Sequence, residues 1–259
     1  MSTPVTPNPW RELRALTQAR IALGRAGVSM PTGAQLAFQL AHARARDAVH
    51  MALDVPALHA ALARPGRVVL AAHSACADRA TYLQRPDLGR QLDAPSCAAL
   101  AAAAPAACEL ALVVADGLSA PAVAQHAAPF IDALQERLAP DGWGTAPIVI
   151  VQQARVAIGD QVGAILNARC VVVLIGERPG LSSPDSMGLY MTWQPGPGLT
   201  DAHRNCISNV RAAGVSYREA AFKLHYLLDQ ARGRGLSGVA LKDETQAPPA
   251  RSGHNFLLR

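Results

Sequence analysis

The chain has 259 residues, enough to bury a sizeable core as one large domain or two small ones. Half of the residues are hydrophobic, 17% are charged and only 4% are aromatic, which excludes a disordered chain and draws much of the apolar content from Ala-rich stretches such as 98–104. The net charge of +5 is scattered over Arg11, Arg14, Arg20, Arg25, Arg44, Arg46, Arg232 and Arg234, with no basic cluster interleaved with aromatics, so the composition argues against a nucleic-acid partner.

The first nine residues, rich in Pro, Ser and Thr, read as a tail with no apolar leader region. A basic segment from Pro9 to Ala26 is helix-compatible and is stopped by Gly27. A second helix begins at Pro31 and Thr32, with Leu36, Leu40, Ala43, Asp47 and His50 about a turn apart, so that one face carries packing and polar groups together. These helices and the tail form an expected N-terminal region, 1–60.

Four short runs rich in Val or Ile follow, at 67–72, 109–115, 148–153 and 170–176. Each is too short for a typical helix and reads as a buried strand. Helical patterns lie between them, most clearly from Ser119 to Leu138, and a shorter one after Gly159. Strand and helix in alternation predict an α/β fold with a Rossmann-like, doubly wound parallel sheet over 61–243. Further strands are expected at 189–193 and around Val239 to Leu241, a helix from Tyr217 to Arg232, and a C-terminal tail over 244–259.

Five cysteines without a C-x-x-C pair argue against both a disulfide framework and a Cys-rich zinc site, and suit a reducing compartment. No stretch reaches the roughly 20 apolar residues needed to cross a membrane. The chain is therefore expected to be cytoplasmic. Its eight histidines show no H-E-x-x-H spacing, and neither a Walker A sequence nor a G-x-S-x-G elbow occurs. Gly233 to Gly238 matches G-x-G-x-x-G, but it follows a helix, which reverses the context that the dinucleotide motif needs; it reads as a helix stop and loop.

In an open parallel sheet, ligands bind outside the carboxyl ends of the strands. That rule selects Asp116-Gly117-Leu118-Ser119, Gln152 to Val156, and Gly176 to Ser186 as candidate site segments. Residue chemistry alone leaves their roles open. Glu177 could form a salt bridge with Arg178 or another cation, and Cys206 could be a packed core thiol.

Longer strings resolve part of this. Leu16 to Arg25, Phe38 to Val49, Arg85 to Arg90 (RPDLGR), Val114 to Ser119 (VADGLS), Leu174 to Leu181 (LIGERPGL) and Arg204 to Asn209 (RNCISN) resemble, in order, the ethanolamine ammonia-lyase small (light) subunit. The resemblance spans about 12–243. It implies a hetero-oligomer in which a separate large subunit binds ethanolamine while this chain closes over adenosylcobalamin, together converting ethanolamine to acetaldehyde and ammonia. Carried over by position, it implies Val156, Glu177 and Cys206 as cofactor contacts, with no catalytic residue and no metal ligand in this chain. It also brings in a bacterial microcompartment as an alternative location, and a non-catalytic scaffold or microcompartment adaptor as an alternative role. Asp201-Ala202-His203 has the D-x-H of another corrinoid motif but lacks its glycine, so His203 is not expected to bind cobalt.

Overall fold

The structure, a computed structural model, describes residues 5–245. Six strands form one sheet: β1 (Val69–His73), β2 (Cys108–Ala115), β3 (Ile148–Gln152), β4 (Ala168–Gly176), β5 (Met187–Trp193) and β6 (Arg204–Val210), in the order β1-β3-β2-β4-β5-β6. The helices are α1 (Thr32–His50), α2 (Val55–Leu62), α3 (Arg79–Gln84), α4 (Ala94–Ala103), α5 (Ala120–Leu138), α6 (Ile158–Ile165) and α7 (Tyr217–Arg234).

The sheet is mixed, which corrects the expectation of a wholly parallel one. β1 to β4 are mutually parallel, whereas β5 runs antiparallel to both β4 and β6. The reason is the loop 177–186. A parallel connection needs a crossover of a dozen or more residues, usually a helix, and this loop is shorter and contains none. The α/β class itself holds.

Alternation along β2 divides the core in two. Leu110, Leu112 and Val114 pack with α5 and α7, while Ala111, Val113 and Ala115 pack with residues of α4 and α6. β2 and β4 are buried on both faces, and so they read as continuous apolar runs. Side-chain caps fix where helices start: Ser119 accepts from the Ala122 N–H, Asp93 from Ser96 and Ser216 from Glu219. Gly235, at φ +68°, ends α7, so the G-x-G-x-x-G stretch is a helix stop, as expected.

Three local expectations fail. Pro9 to Ala26 contains only a short 3-10 turn, Arg11–Ala15, which buries nothing. Without an apolar face to bury, its helix-compatible composition does not suffice. Val239 to Leu241 is not a strand; Gly238–Ala240 form a 3-10 turn, with Gly238 at φ +77° against the Ala202 carbonyl. In α1, the predicted packing face points outward: Leu36 and Leu40 are exposed, and Ala48, the one buried residue of the helix, is not on that face. α2, which spans residue 60, places Leu58 and Leu62 in the main core. Most of the expected 244–259 tail lies outside the described residues.

Among the described residues, no helix is long and apolar enough to cross a membrane.

Candidate functional site

The connections leaving β2 and β3, which are neighbours, go to opposite faces of the sheet, into α5 and α6. Divergence of this kind leaves a crevice at the strand ends. A half-open cavity of about 470 Å³ lies there, lined by Tyr82, Gly117, Leu118, Arg155, Val156, Ile175, Gly176, Glu177, Arg178, Tyr190 and Ser208. All three strand exits singled out in the sequence contribute to it.

The crevice is held open by close backbone approaches. Gly117, at φ +56°, lies against the Gly176 carbonyl, and Gly176 lies against the carbonyls of Asp116 and Ser119. A side chain at either glycine would collide with main chain, which cannot move aside as the end of a flexible side chain could. The Leu118 N–H donates to the Gly176 carbonyl at 2.9 Å. Buried Asp116 accepts from the N–H groups of Gln153 (2.9 Å) and Ala154 (3.1 Å), with Arg79 at 3.5 Å. These bonds fix the β3 exit, where Gln153 adopts φ +54°. Burial pushes the Asp116 carboxyl up, against the opposing pull of those donors and of Arg79.

Glu177 leaves β4 half-buried. Its carboxylate accepts from the Ser186 hydroxyl and from the Asn209 N–H at 3.3–3.4 Å. It is engaged by these neutral donors and not by Arg178. Gly188 leaves room for it; a Cβ there would stand 2.9 Å from Oε1. Behind this loop, Ser119 donates to the Pro184 carbonyl at 2.8 Å, and Asp185 lies between Arg211 (3.6 Å) and His126 (3.7 Å).

Val156 sits just before α6, half-buried beside Arg155. Cys206 is exposed on β6, opposite Tyr190 in register, with its thiol 3.3 Å from the Ser208 hydroxyl. It is not a packed core thiol. Cys108 and Cys170, by contrast, are buried, and burial raises both thiol pKa values. Burial likewise raises the Tyr190 hydroxyl, with Cys206 and Glu177 adding to the shift. Val156 and Glu177 therefore line one cavity, and Cys206 lies on the strand that borders it through Ser208.

Tyr82, Tyr190 and Ser208 were not picked out from the sequence. Period-two alternation from Cys206 would have indicated Ser208, had 204–210 been read as a strand. Tyr82 comes from α3, far from the strand exits in sequence, and no local signal marks it. His203 lies at the opposite end of β6, five residues or about 16 Å from Ser208 at strand spacing. It is exposed and bonds with Thr200. Among the described residues, no group of three or more His, Cys, Asp or Glu side chains could hold a metal ion.

Fold and site together define an α/β protein with a half-open, mixed-polarity crevice at the carboxyl ends of its parallel strands. The family model "Ethanolamine ammonia-lyase light chain" matches residues 7–242. The chain is 60% identical to an ethanolamine ammonia-lyase small subunit of Ralstonia nicotianae, over 98% of this chain and 96% of that one. It is also 60% identical to a small subunit of Pseudomonas syringae pv. tomato (92% and 84% covered) and 57% identical to one of Pseudomonas putida KT2440 (99% and 97%). The chain belongs to the ethanolamine ammonia-lyase light-chain family.

Proposed function

We propose that this chain is the subunit that seats adenosylcobalamin against a large, ethanolamine-binding subunit, and that the two together release acetaldehyde and ammonia. The observation that carries the reading is the convergence of Val156 and Glu177 on one crevice bordered by the strand of Cys206.

The lining suits the chemistry of a corrinoid. Such a ligand offers a broad apolar ring edged with carboxamides. Val156, Leu118 and Ile175 supply apolar surface, and the Glu177 carboxylate is an acceptor suited to amide N–H groups. A half-buried carboxylate gains from such donors, because an unpaired one is costly. Being half-open, the crevice covers one side of a large ligand and leaves the other side for a partner.

When bound, the cofactor supplies radical chemistry through homolysis of its cobalt–carbon bond. This chain's residues bind and orient it and exclude water from one side; none acts as acid, base or nucleophile. The outward side of α1, with Leu36 and Leu40 exposed one turn apart, fits the role of partner contact within 1–60. In this reading the complex works in the cytoplasm or within a bacterial microcompartment.

Mixing the purified chain, its large subunit and adenosylcobalamin and then assaying acetaldehyde tests the proposal. Release only when both chains are present supports it. A complex that forms, yet binds the cofactor equally well without this chain, would favour a scaffold role.

A further inference from the structure

The crevice carries an unbalanced cation that the contacts above leave unexplained. Arg155 leaves β3 with its guanidinium 4.1 Å from the centroid of the fully buried Tyr82 ring, and Nη2 donates to the Tyr82 carbonyl at 3.0 Å. Nε is buried without an acceptor among the described residues. No carboxylate pairs with Arg155 or with Arg178, which also lines the crevice, among the described residues. A half-buried guanidinium whose one recorded acceptor is a neutral carbonyl is poised for an anion.

Glu177 does not fill that role. β3 and β4 flank β2, so their exits stand two strand spacings apart, about 10 Å. The Glu177 carboxylate is also occupied by Ser186 and Asn209. The crevice therefore has two poles, an acceptor at the β4 exit and a cation at the β3 exit.

The RPDLGR string explains how the cation is aimed. The Arg155 N–H donates to the Gly89 carbonyl at 2.7 Å, and a Cβ on Gly89 would stand 2.9 Å from Arg155 Cγ. The Tyr82 hydroxyl donates to the Ala154 carbonyl at 3.2 Å, fixing the ring beneath the guanidinium. α3 and the turn after it thus form a cradle whose evident product is the placement of Arg155.

We propose that Arg155 binds a phosphodiester: the single anionic group of the corrinoid's nucleotide loop. This assignment rests on the seating role proposed above. A phosphodiester presents two anionic oxygens to a planar guanidinium, a match that Lys at this position would reproduce only in charge.

Equilibrium dialysis of the two-subunit complex tests it, comparing adenosylcobalamin with adenosylcobinamide, which keeps the ring and its amides but lacks the nucleotide loop. Arg155→Gln should weaken cobalamin binding roughly 10- to 100-fold and leave cobinamide binding unchanged. Its cobalamin affinity should also depend less on salt than that of wild type, which separates a lost charge from lost packing. Gly89→Ala, which disturbs the cradle while keeping the guanidinium, should reproduce the selective loss in milder form. Equal weakening of both corrinoids, or of neither, would overturn the phosphodiester assignment. If Glu177→Ala still weakens both corrinoids in that event, the seating role survives; if Glu177→Ala changes neither, the seating role fails as well.

Discussion

The Asp160 carboxylate accepts two hydrogen bonds from the Arg204 guanidinium, at 2.6 and 2.7 Å, and both side chains are more than nine-tenths buried. Arg204 also donates to the Thr192 hydroxyl at 3.1 Å. The pair ties α6, whose N-terminal end borders the crevice, to β5 and β6, which carry Tyr190, Cys206 and Ser208. Removing Asp160 leaves the Arg204 guanidinium buried with only the exposed Asp201, 3.3 Å from its Nε, to offset it among the described residues, at a cost of up to about 3–5 kcal/mol. Asp160→Asn should therefore lower the denaturant midpoint substantially without changing the m-value, as urea unfolding would show.

Deeper in the fold, His126 hydrogen-bonds with the Tyr217 hydroxyl at 2.8 Å and faces Asp185, with Arg211 beyond. Burial lowers its pKa, against the pull of Asp185. Its folded pKa therefore lies below the unfolded value of about 6.5. The stability linked to neutral His126 is fully present above that value and is lost as pH falls through the folded pKa. Thermal unfolding at pH 7.5 and pH 5.5 should show a fall that is smaller in His126→Gln. An identical fall in both proteins would contradict this.

α1 presents Leu36 and Leu40 one turn apart, and both are more than half exposed. If that face meets the large subunit, Leu36→Glu with Leu40→Glu should weaken assembly at least tenfold by sedimentation while leaving the chain's own unfolding midpoint nearly unchanged. A surface change with no partner would leave assembly intact.

Among the described residues Glu177 meets only neutral donors, so its contribution should lie in holding the cofactor and not in a chemical step. Glu177→Ala should raise the Kd for adenosylcobalamin by roughly tenfold. Turnover at saturating cofactor should stay near wild type. Unchanged affinity with lost turnover would sink this assignment.

β2, β3 and β4 were legible because burial on both faces demands an unbroken apolar run, as in β3 and β4; β1, mostly half-buried, was legible from its Val- and Leu-rich run alone. β6 was not. As an edge strand its residues Cys206, Ser208 and Asn209 are exposed, and Asn205 spends its side chain on the Gly238 and Leu241 carbonyls, so no apolar run marks it. Nor does a sequence announce strand direction, which the short loop after Gly176 decides. Val156 and Glu177 came from the family resemblance, carried over by position, and strand-end reasoning reached the same segments. Arg155 lay in one of those segments, but its unpaired charge depends on Tyr82 and Gly89, which lie about 70 residues earlier in the chain.

The claim that the crevice seats the corrinoid is tested most directly by filling it. Val156 lines the crevice half-exposed, so Val156→Trp can project a large ring into the space without displacing the core. Equilibrium binding of adenosylcobalamin to the two-subunit complex should weaken by at least tenfold in this variant, with assembly preserved. Wild-type affinity in an assembled Val156→Trp complex would place the cofactor elsewhere and contradict the account.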